Sequence, residues 1–335
     1  MTTLTTMQDP AAAGPERHNP FLVWLKGQYP LFILIVLLII AAVASDSFFT
    51  ARNLTNVLLQ VSVIGIVTLA QFLIVLTGGI DISVGSVLAL AGVLSAGFLG
   101  GNNVLLAIVV AICVGLIFGI LTGYLVAFRG LEPFIVTLGV MALARGLVYA
   151  YTEGVPVRPG AEGFRDVATS TVFGIPILGL IWVALALITA FVVRRTVLGR
   201  RIYAVGSNKQ AAYASGIPVK STLMAVYAAA GVMVGLSGFL MAARIGAATP
   251  TAGSLFELDA IAAVVIGGAV LSGGRGTVTG AVTGTLILGV ISNLLILLNV
   301  SAYLQDAFRG ALILFAVVFT TVDFGKRITR NKRMS

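Results

Sequence analysis

The stretch Thr77–Ser86, TGGIDISVGS, interrupts a sequence that is otherwise almost continuously apolar from Val57 to Leu99. It places one aspartate, Asp81, among three glycines and three hydroxyl side chains. Carboxylates are costly inside a bilayer, and glycine relaxes the constraints that keep a backbone helical. The stretch therefore indicates a membrane protein in which these residues form either a turn at the water boundary or an unwound segment along a polar path.

Composition supports a membrane protein over its whole length. Hydrophobic residues make up 59% of the 335 residues and charged residues only 10%, with a mean hydropathy of +1.07. The single cysteine, Cys113, and the single histidine, His18, leave no disulfide framework and no Cys/His metal site. The chain also lacks a Gly-x4-Gly-Lys-Ser/Thr phosphate loop, so we expect that it does not bind ATP by that device. We also expect that the chain is not itself an enzyme.

Apolar runs near the bilayer-crossing length of ~20 residues predict an all-α integral membrane bundle of about ten spans. The third and eighth are short for full crossings, which indicates tilted, re-entrant or broken helices. We expect a disordered tail over 1–28, a membrane domain over 29–325 and a basic tail over 326–335. The predicted spans are 30–46, 55–76, 84–100, 103–127, 134–152, 175–193, 222–243, 258–272, 277–298 and 304–322.

The distribution of basic residues predicts the orientation of the chain. With the N-terminus inside, fifteen of the twenty-one lysines and arginines fall in cytoplasmic segments. This asymmetry follows the positive-inside rule and predicts that both termini are cytoplasmic. The net charge of +9 is then a signal of topology and not of nucleic-acid binding. Residues 1–28 have no apolar core before a cleavage site, so we expect no cleavable signal peptide.

The cytoplasmic loop 194–221 predicts a short helix. Ser207 or Asn208 can cap it, residues 210–215 can form it, and Gly216 can end it. Such a helix at a membrane surface fits the groove of a partner protein. It could equally rest on lipid headgroups through its basic flank, and spacing alone does not separate the two.

Amide side chains on the predicted spans are candidates for a translocation path. Asn56, Gln60 and Gln71 are four and eleven residues apart, which places them on one helix face. Asn293, on the ninth span, is a further candidate. Amides both donate and accept hydrogen bonds, which suits sugar hydroxyls, although the same groups commonly join neighbouring membrane helices.

Charged residues within the spans are candidates for gating or structural roles. Arg145 could pair with Asp81 or another carboxylate, or reach an interface. Glu257 and Asp259 are expected at the outer boundary, where water keeps them charged. Topology places residues 77–83 toward the cytoplasmic side and favours a boundary turn, while the short third span also permits a broken helix. For Asp81 we expect a structural and gating role, either capping the helix that begins near Ser83 or pairing with a basic neighbour.

Several ordered motifs together resemble the membrane permeases of ABC importers of the ribose/monosaccharide type, within the wider group that holds branched-chain amino acid permeases. The resemblance extends from Phe48 nearly to the end of the chain and does not identify the sugar. Its motifs lie at residues 48–54, 78–86, 198–217, 250–253, 257–268 and 273–277.

The resemblance implies a type II importer architecture with ten helices per subunit. It also implies that two permease subunits form one path in a bacterial inner membrane and move a monosaccharide inward. A cytoplasmic ATPase pair would bind ATP and magnesium, this chain would bind no cofactor, and a periplasmic sugar-binding protein would deliver the substrate. An ion-coupled secondary transporter is the alternative, with Asp81 and Arg145 as its only candidate pair. The resemblance also implies that the loop helix is a coupling helix that binds in a cleft of the ATPase. Its residues expected to contact the ATPase are Gly206, Asn208, Ala211, Ala212, Ser215 and Gly216.

Overall fold

The computed structural model describes residues 29–98, 102–301, 303–311 and 314, and most of them are helical. The predicted tails, 1–28 and 326–335, lie outside the described residues. The part of the tenth predicted span after residue 311 also lies outside them, except for residue 314. The helices are α1 (Tyr29–Ala44), α2 (Ala51–Leu76), α3 (Val84–Gly97), α4 (Val104–Ala127), α5 (Pro133–Thr152), α6 (Asp166–Thr169), α7 (Ile177–Arg195), α8 (Val197–Ser207), α9 (Lys209–Ala214), α10 (Val219–Ile245), α11 (Phe256–Ile266) and α12 (Val278–Leu297), followed by helical residues 303–311.

The predicted class, an all-α membrane protein, is confirmed. The structure adds a short β-hairpin, and it does not confirm the predicted number of spans. Strands β1 (Thr171–Val172) and β2 (Ile175–Pro176) form a short antiparallel hairpin in the loop before α7. Among the described residues, six helices are long and apolar enough to cross a membrane, and α1 and α3 are shorter apolar helices. The predicted count of about ten spans is therefore not confirmed. The six long helices are α2, α4, α5, α7, α10 and α12.

Glycine stripes bring the central helices into close backbone contact. A Cβ atom on Gly115 of α4 would collide with the carbonyl oxygen of Gly231 on α10. A Cβ atom on Gly235 of α10 would likewise collide with the carbonyl oxygen of Ala111 on α4. Small residues are the means by which membrane helices approach closely, because lipid gives apolar side chains no drive to associate. The same packing joins α11 and α12 through Gly267, Gly280 and Gly284.

The first break in the bundle lies between α2 and α3. At the end of α2, the carbonyl of Leu76 accepts a hydrogen bond from Gly274 N at 2.9 Å. The chain then turns back, and Asp81 lines a small cavity with Gly119 and Gly231, which lie well inside α4 and α10. The segment 77–83 thus runs into the interior of the bundle. The favoured boundary turn was wrong, and the broken helix that the short third span allowed is what forms.

A second break lies between α10 and α11. Gly246 ends α10 with a φ of 79°, a left-handed conformation that glycine adopts without strain. The residues up to Leu255 are mostly turns, and within them Ala248 exchanges backbone hydrogen bonds with Val157 at 2.8 and 2.9 Å. The helix that follows ends at Ile266, before an irregular segment over 267–277. The predicted eighth span, 258–272, is therefore a half-length helix, α11.

The two breaks meet inside the bundle. The carbonyl of Gly253, just before α11, lies against Gly85 in the first turn of α3, so closely that a Cβ on Gly85 would collide with it. From this contact α3 runs toward Tyr151 at the end of α5. In contrast, α11 runs toward the segment that contacts Leu76. Paired half-helices whose N-termini meet in the interior are typical of transporters.

Candidate functional site

Acidic side chains lie at the N-termini of both half-helices. The Asp81 carboxylate accepts hydrogen bonds from Ser83 N at 2.7 Å and from Ser83 Oγ at 2.6 Å, directly before α3. Glu257 and Asp259 lie in the first turn of α11. Helix N-termini carry partial positive charge, so carboxylates there are stabilised. This geometry fits the predicted capping by Asp81, whereas Glu257 lies against Gly85 in the interior and not at the expected outer boundary.

Gln71 holds the first extended segment in place. Its side chain is fully buried in α2. In the amide orientation that satisfies both groups, its nitrogen donates to Asp81 O at 3.0 Å and its oxygen accepts from Asp81 N at 3.2 Å. The side chain thus substitutes for a paired strand and satisfies two buried backbone groups. Gln71 was predicted to line the path; the structure uses both ends of its amide for the backbone instead.

Arg145 holds the irregular segment before α11 in place. Its Nη1 donates to the carbonyls of Pro250 at 2.6 Å and Ala252 at 3.3 Å. A pair with Asp81, one of the alternatives for Arg145, is not formed among the described residues; the arginine reaches backbone oxygens on the segment before α11 instead. Within the described part of the chain, the ion pairs join Arg309 to Asp259 and Asp306.

Two other predicted path residues have different surroundings. Asn293 of α12 is buried and exchanges two side-chain hydrogen bonds of 2.9 Å with Asn53 of α2. Asn53 also donates to the carbonyl of Phe48 at 2.9 Å, so the pair joins helices and leaves little capacity for a ligand. Asn56 is exposed on the surface of the described chain. Asn53, whose role sequence reasoning missed, is separated from its partner by 240 positions.

Gln60 lines a cavity of about 200 Å³, which we call the α2–α12 cavity. It is enclosed by α2, α10, α11, α12 and the helical residues 303–311. Two of the residues singled out in the sequence, Gln60 and Asp259, come together here. The sequence analysis did not single out the other polar residues of this cavity, among them Arg244 and Arg309. The polar lining comprises Gln60, Arg244, Asp259, Thr285, Ser292 and Arg309, and the aromatic lining Phe256 and Phe308.

The predicted loop helix is present as α9. Asn208 Oδ1 accepts a hydrogen bond from Ala211 N at 2.9 Å and caps it, and Gly216 follows it with a φ of +76°. Asn208, Ala211, Ser215 and Gly216 are exposed, as is Tyr213, which the sequence did not single out. Ala212 faces inward and packs in a cluster with Ala127, Val205 and Leu223, so it anchors the helix rather than presenting a contact surface.

Gly206 places the preceding helix, α8, against both broken elements. A Cβ atom on Gly206 would collide with the carbonyl of Leu76 and lie 2.6 Å from Gly274 N. Tyr203 of α8 donates from its hydroxyl to the carbonyl of Gly276 at 2.8 Å. Burial raises the pKa of Tyr203, and the smaller effect of the Arg194 charge opposes this rise. The raised pKa keeps the hydroxyl protonated, so it can donate the hydrogen bond. The segment α8–α9 therefore contacts the end of α2 and the segment after α11 at the same place.

Comparison with known proteins agrees with this architecture. The chain is 41% identical over 304 residues to the ribose import permease protein of Escherichia coli K12, covering 88% of this chain and 94% of the relative. It is 40% identical over 292 residues to the ribose import permease protein of Bacillus subtilis strain 168 (86% and 91%). A D-allose transport system permease protein of Escherichia coli K12 is 37% identical over 315 residues (93% and 97%).

No solved structure matches the chain significantly. The model of one family matches residues 53–317, which contain both broken elements, the α8–α9 segment and the α2–α12 cavity. Together with the relatives, this match over most of the chain makes the protein a multi-pass membrane permease: it belongs to the family described as the branched-chain amino acid transport system / permease component.

Proposed function

We propose that this chain is the membrane permease of an ATP-driven importer for a monosaccharide. Relatives named for ribose and D-allose, matched over most of their length, support sugar as the class of cargo. The observation that carries the mechanism is the α8–α9 segment, which exposes a capped helix on one side and contacts both broken elements on the other. That combination fits a subunit whose motion is driven by another protein.

The energy would come from a separate cytoplasmic ATPase, which binds ATP and magnesium. Its groove would receive the exposed side of α9, where Asn208, Ala211 and Tyr213 lie. A displacement of α8 would act at Gly206 on Leu76 and Gly274, because these backbones already touch. From Leu76 the chain continues to Asp81, and from Gly274 it leads back through α11 to Gly253, so docking at α9 can change how the two half-helices meet.

A second permease subunit would complete the path. On α5, Gly139 and Gly146 face open space. A Cβ atom placed on either glycine would have no neighbouring heavy atom of the described residues within 4 Å. Ala142 lies on the same exposed face. We propose that this face contacts a second copy of the chain, because small residues permit close approach of membrane helices.

The orientation follows from the charge asymmetry of the sequence. Both termini and the α8–α9 segment would be cytoplasmic in a bacterial inner membrane. The opposite side then carries the loop between α5 and α7, with α6 and the β1–β2 hairpin. A periplasmic sugar-binding protein would dock on this loop, whose Glu153, Arg158, Glu162 and Arg165 give it a mixed charge.

Reconstitution tests the proposal directly. The chain would be placed in vesicles with a candidate ATPase and a candidate sugar-binding protein from the same organism, and uptake of labelled ribose, allose and galactose would be measured. We expect uptake of at least one sugar that requires ATP and both partners. Uptake that needs no ATPase and follows an ion gradient would support the secondary transporter instead.

A further inference from the structure

We propose that the α2–α12 cavity binds one neutral monosaccharide inside a single permease subunit. The inference rests on the proposed function and adds a site within the membrane domain to it. The cavity lies beside the start of α11, since Phe256 and Asp259 of that half-helix are in its wall. A sugar held there would contact the element that the α8–α9 segment reaches through the backbone.

The size of the cavity fits a single sugar ring. Its volume of about 200 Å³ corresponds to roughly six or seven water molecules at about 30 Å³ each. Pockets for drug-sized ligands are typically about 300 Å³ or larger, so the volume of this cavity suits a smaller solute. A single metal ion or water would leave most of it empty.

The polar lining offers hydrogen-bond donors and acceptors to a ligand. The side chains of Gln60 and Ser292 are half-buried in the cavity wall, and among the described residues neither forms a hydrogen bond. Arg244 spends one contact on the carbonyl of Leu59 at 3.1 Å, out of five N–H donors. An amide, a hydroxyl and a guanidinium that converge on one space match the alternating donors and acceptors of sugar hydroxyls.

The charges around the cavity favour a neutral ligand over an anion. Arg309 lies 3.7 Å from Asp259 and 3.5 Å from Asp306, so its charge is balanced by two carboxylates. The two arginines, Arg244 and Arg309, and the two aspartates together carry a formal charge of zero. Phe256 and Phe308 supply flat apolar walls, against which the C–H face of a sugar can pack while its hydroxyls meet the polar side. Apolar walls with a few converging polar groups are the usual form of a ligand site.

The test uses paired substitutions in the full-length permease, purified in lipid nanodiscs. Ser292→Leu removes a hydroxyl and fills part of the cavity, and Gln60→Asn keeps the amide but shortens its reach. The matched control is Thr283→Leu, on the same helix but outside the cavity lining. Equilibrium binding of labelled ribose, allose and galactose would be measured, with gluconate as an acidic competitor.

We expect the wild type to bind at least one of these sugars and gluconate to compete poorly. Ser292→Leu and Gln60→Asn should each weaken binding about tenfold or more, while Thr283→Leu leaves it unchanged. A wild type without sugar binding, or variants with wild-type affinity, would overturn the cavity site. Uptake by the complete reconstituted importer separates the two proposals: normal ATP-dependent uptake in both cavity variants rejects the site alone, whereas no ATP-dependent uptake in the wild type rejects the proposed function.

Discussion

Asp81, Glu257 and Asp259 lie within a bundle of largely apolar helices, and each lies at the start of a helix. A carboxylate in hydrocarbon is costly, but the positive end of a half-helix offsets part of that cost. The sequence predicted a structural and gating role for Asp81, and the structure contains two hydrogen bonds from Ser83 to its carboxylate. The partners of Arg145 could not, because they are backbone carbonyls more than a hundred positions away.

Gln71→Leu should destabilise the protein and stop transport. The change leaves the backbone N–H and carbonyl of Asp81 without their partner in the interior, at about 1–3 kcal/mol for each buried group. Thermal unfolding of the purified protein would measure the loss. Thr68→Val is the matched control, since the Thr68 hydroxyl bonds only to Ile64 O within α2. If Gln71→Leu were no more destabilising than that control, the role of Gln71 as a backbone support would be wrong.

The lengths of the apolar runs in the sequence predicted which of the helices would be short. The third and eighth predicted spans became α3 and α11, and the short helix around 210–215 became α9. What the sequence could not predict is that α3 and α11 begin against each other. Their contact joins Gly85 and Gly253, which are far apart in the chain, and each glycine taken alone also fits a simple turn.

Gly85→Ala should disturb the contact between the half-helices. The added methyl group would collide with the Gly253 carbonyl, and overpacking of an interior typically costs about 1–3 kcal/mol. We expect lower thermal stability and slower uptake. Gly310→Ala is the control, because Gly310 lies in open space on a helical segment, where alanine favours the helix by about 1 kcal/mol. Equal behaviour of the two variants would show that the half-helices tolerate separation.

Ala211→Glu should abolish uptake without affecting folding. Ala211 is exposed on α9, so a charged side chain there costs the permease little but blocks a complementary groove. Co-purification with the ATPase and uptake in vesicles would both be lost, while the unfolding temperature stays near that of the wild type. Thr169→Glu makes the same kind of change on the exposed outer loop and should leave ATPase binding intact. ATPase binding retained by Ala211→Glu would place the docking surface elsewhere.

Among the exposed faces of the described helices, those of α5 and α7 differ in kind. On α7, large side chains such as Leu187, which is 66% exposed, suit contact with lipid tails. On α5, the open glycines Gly139 and Gly146 lie beside Ala142 and suit contact with another helix. Hydropathy alone could not separate these faces, because both helices are apolar enough to span a membrane.

Cysteine crosslinking distinguishes the two faces. The single native cysteine, Cys113, is exposed and would first be replaced by alanine. In that background, Gly146→Cys should form a disulfide-linked dimer in native membranes under mild oxidation, because residues close to the axis of a two-fold contact meet their own copies. Leu187→Cys should remain monomeric at equal expression. Dimers formed equally by both variants would reflect random collision, and dimers formed only by Leu187→Cys would move the subunit contact from α5 to α7 and leave the small-residue face of α5 to lipid.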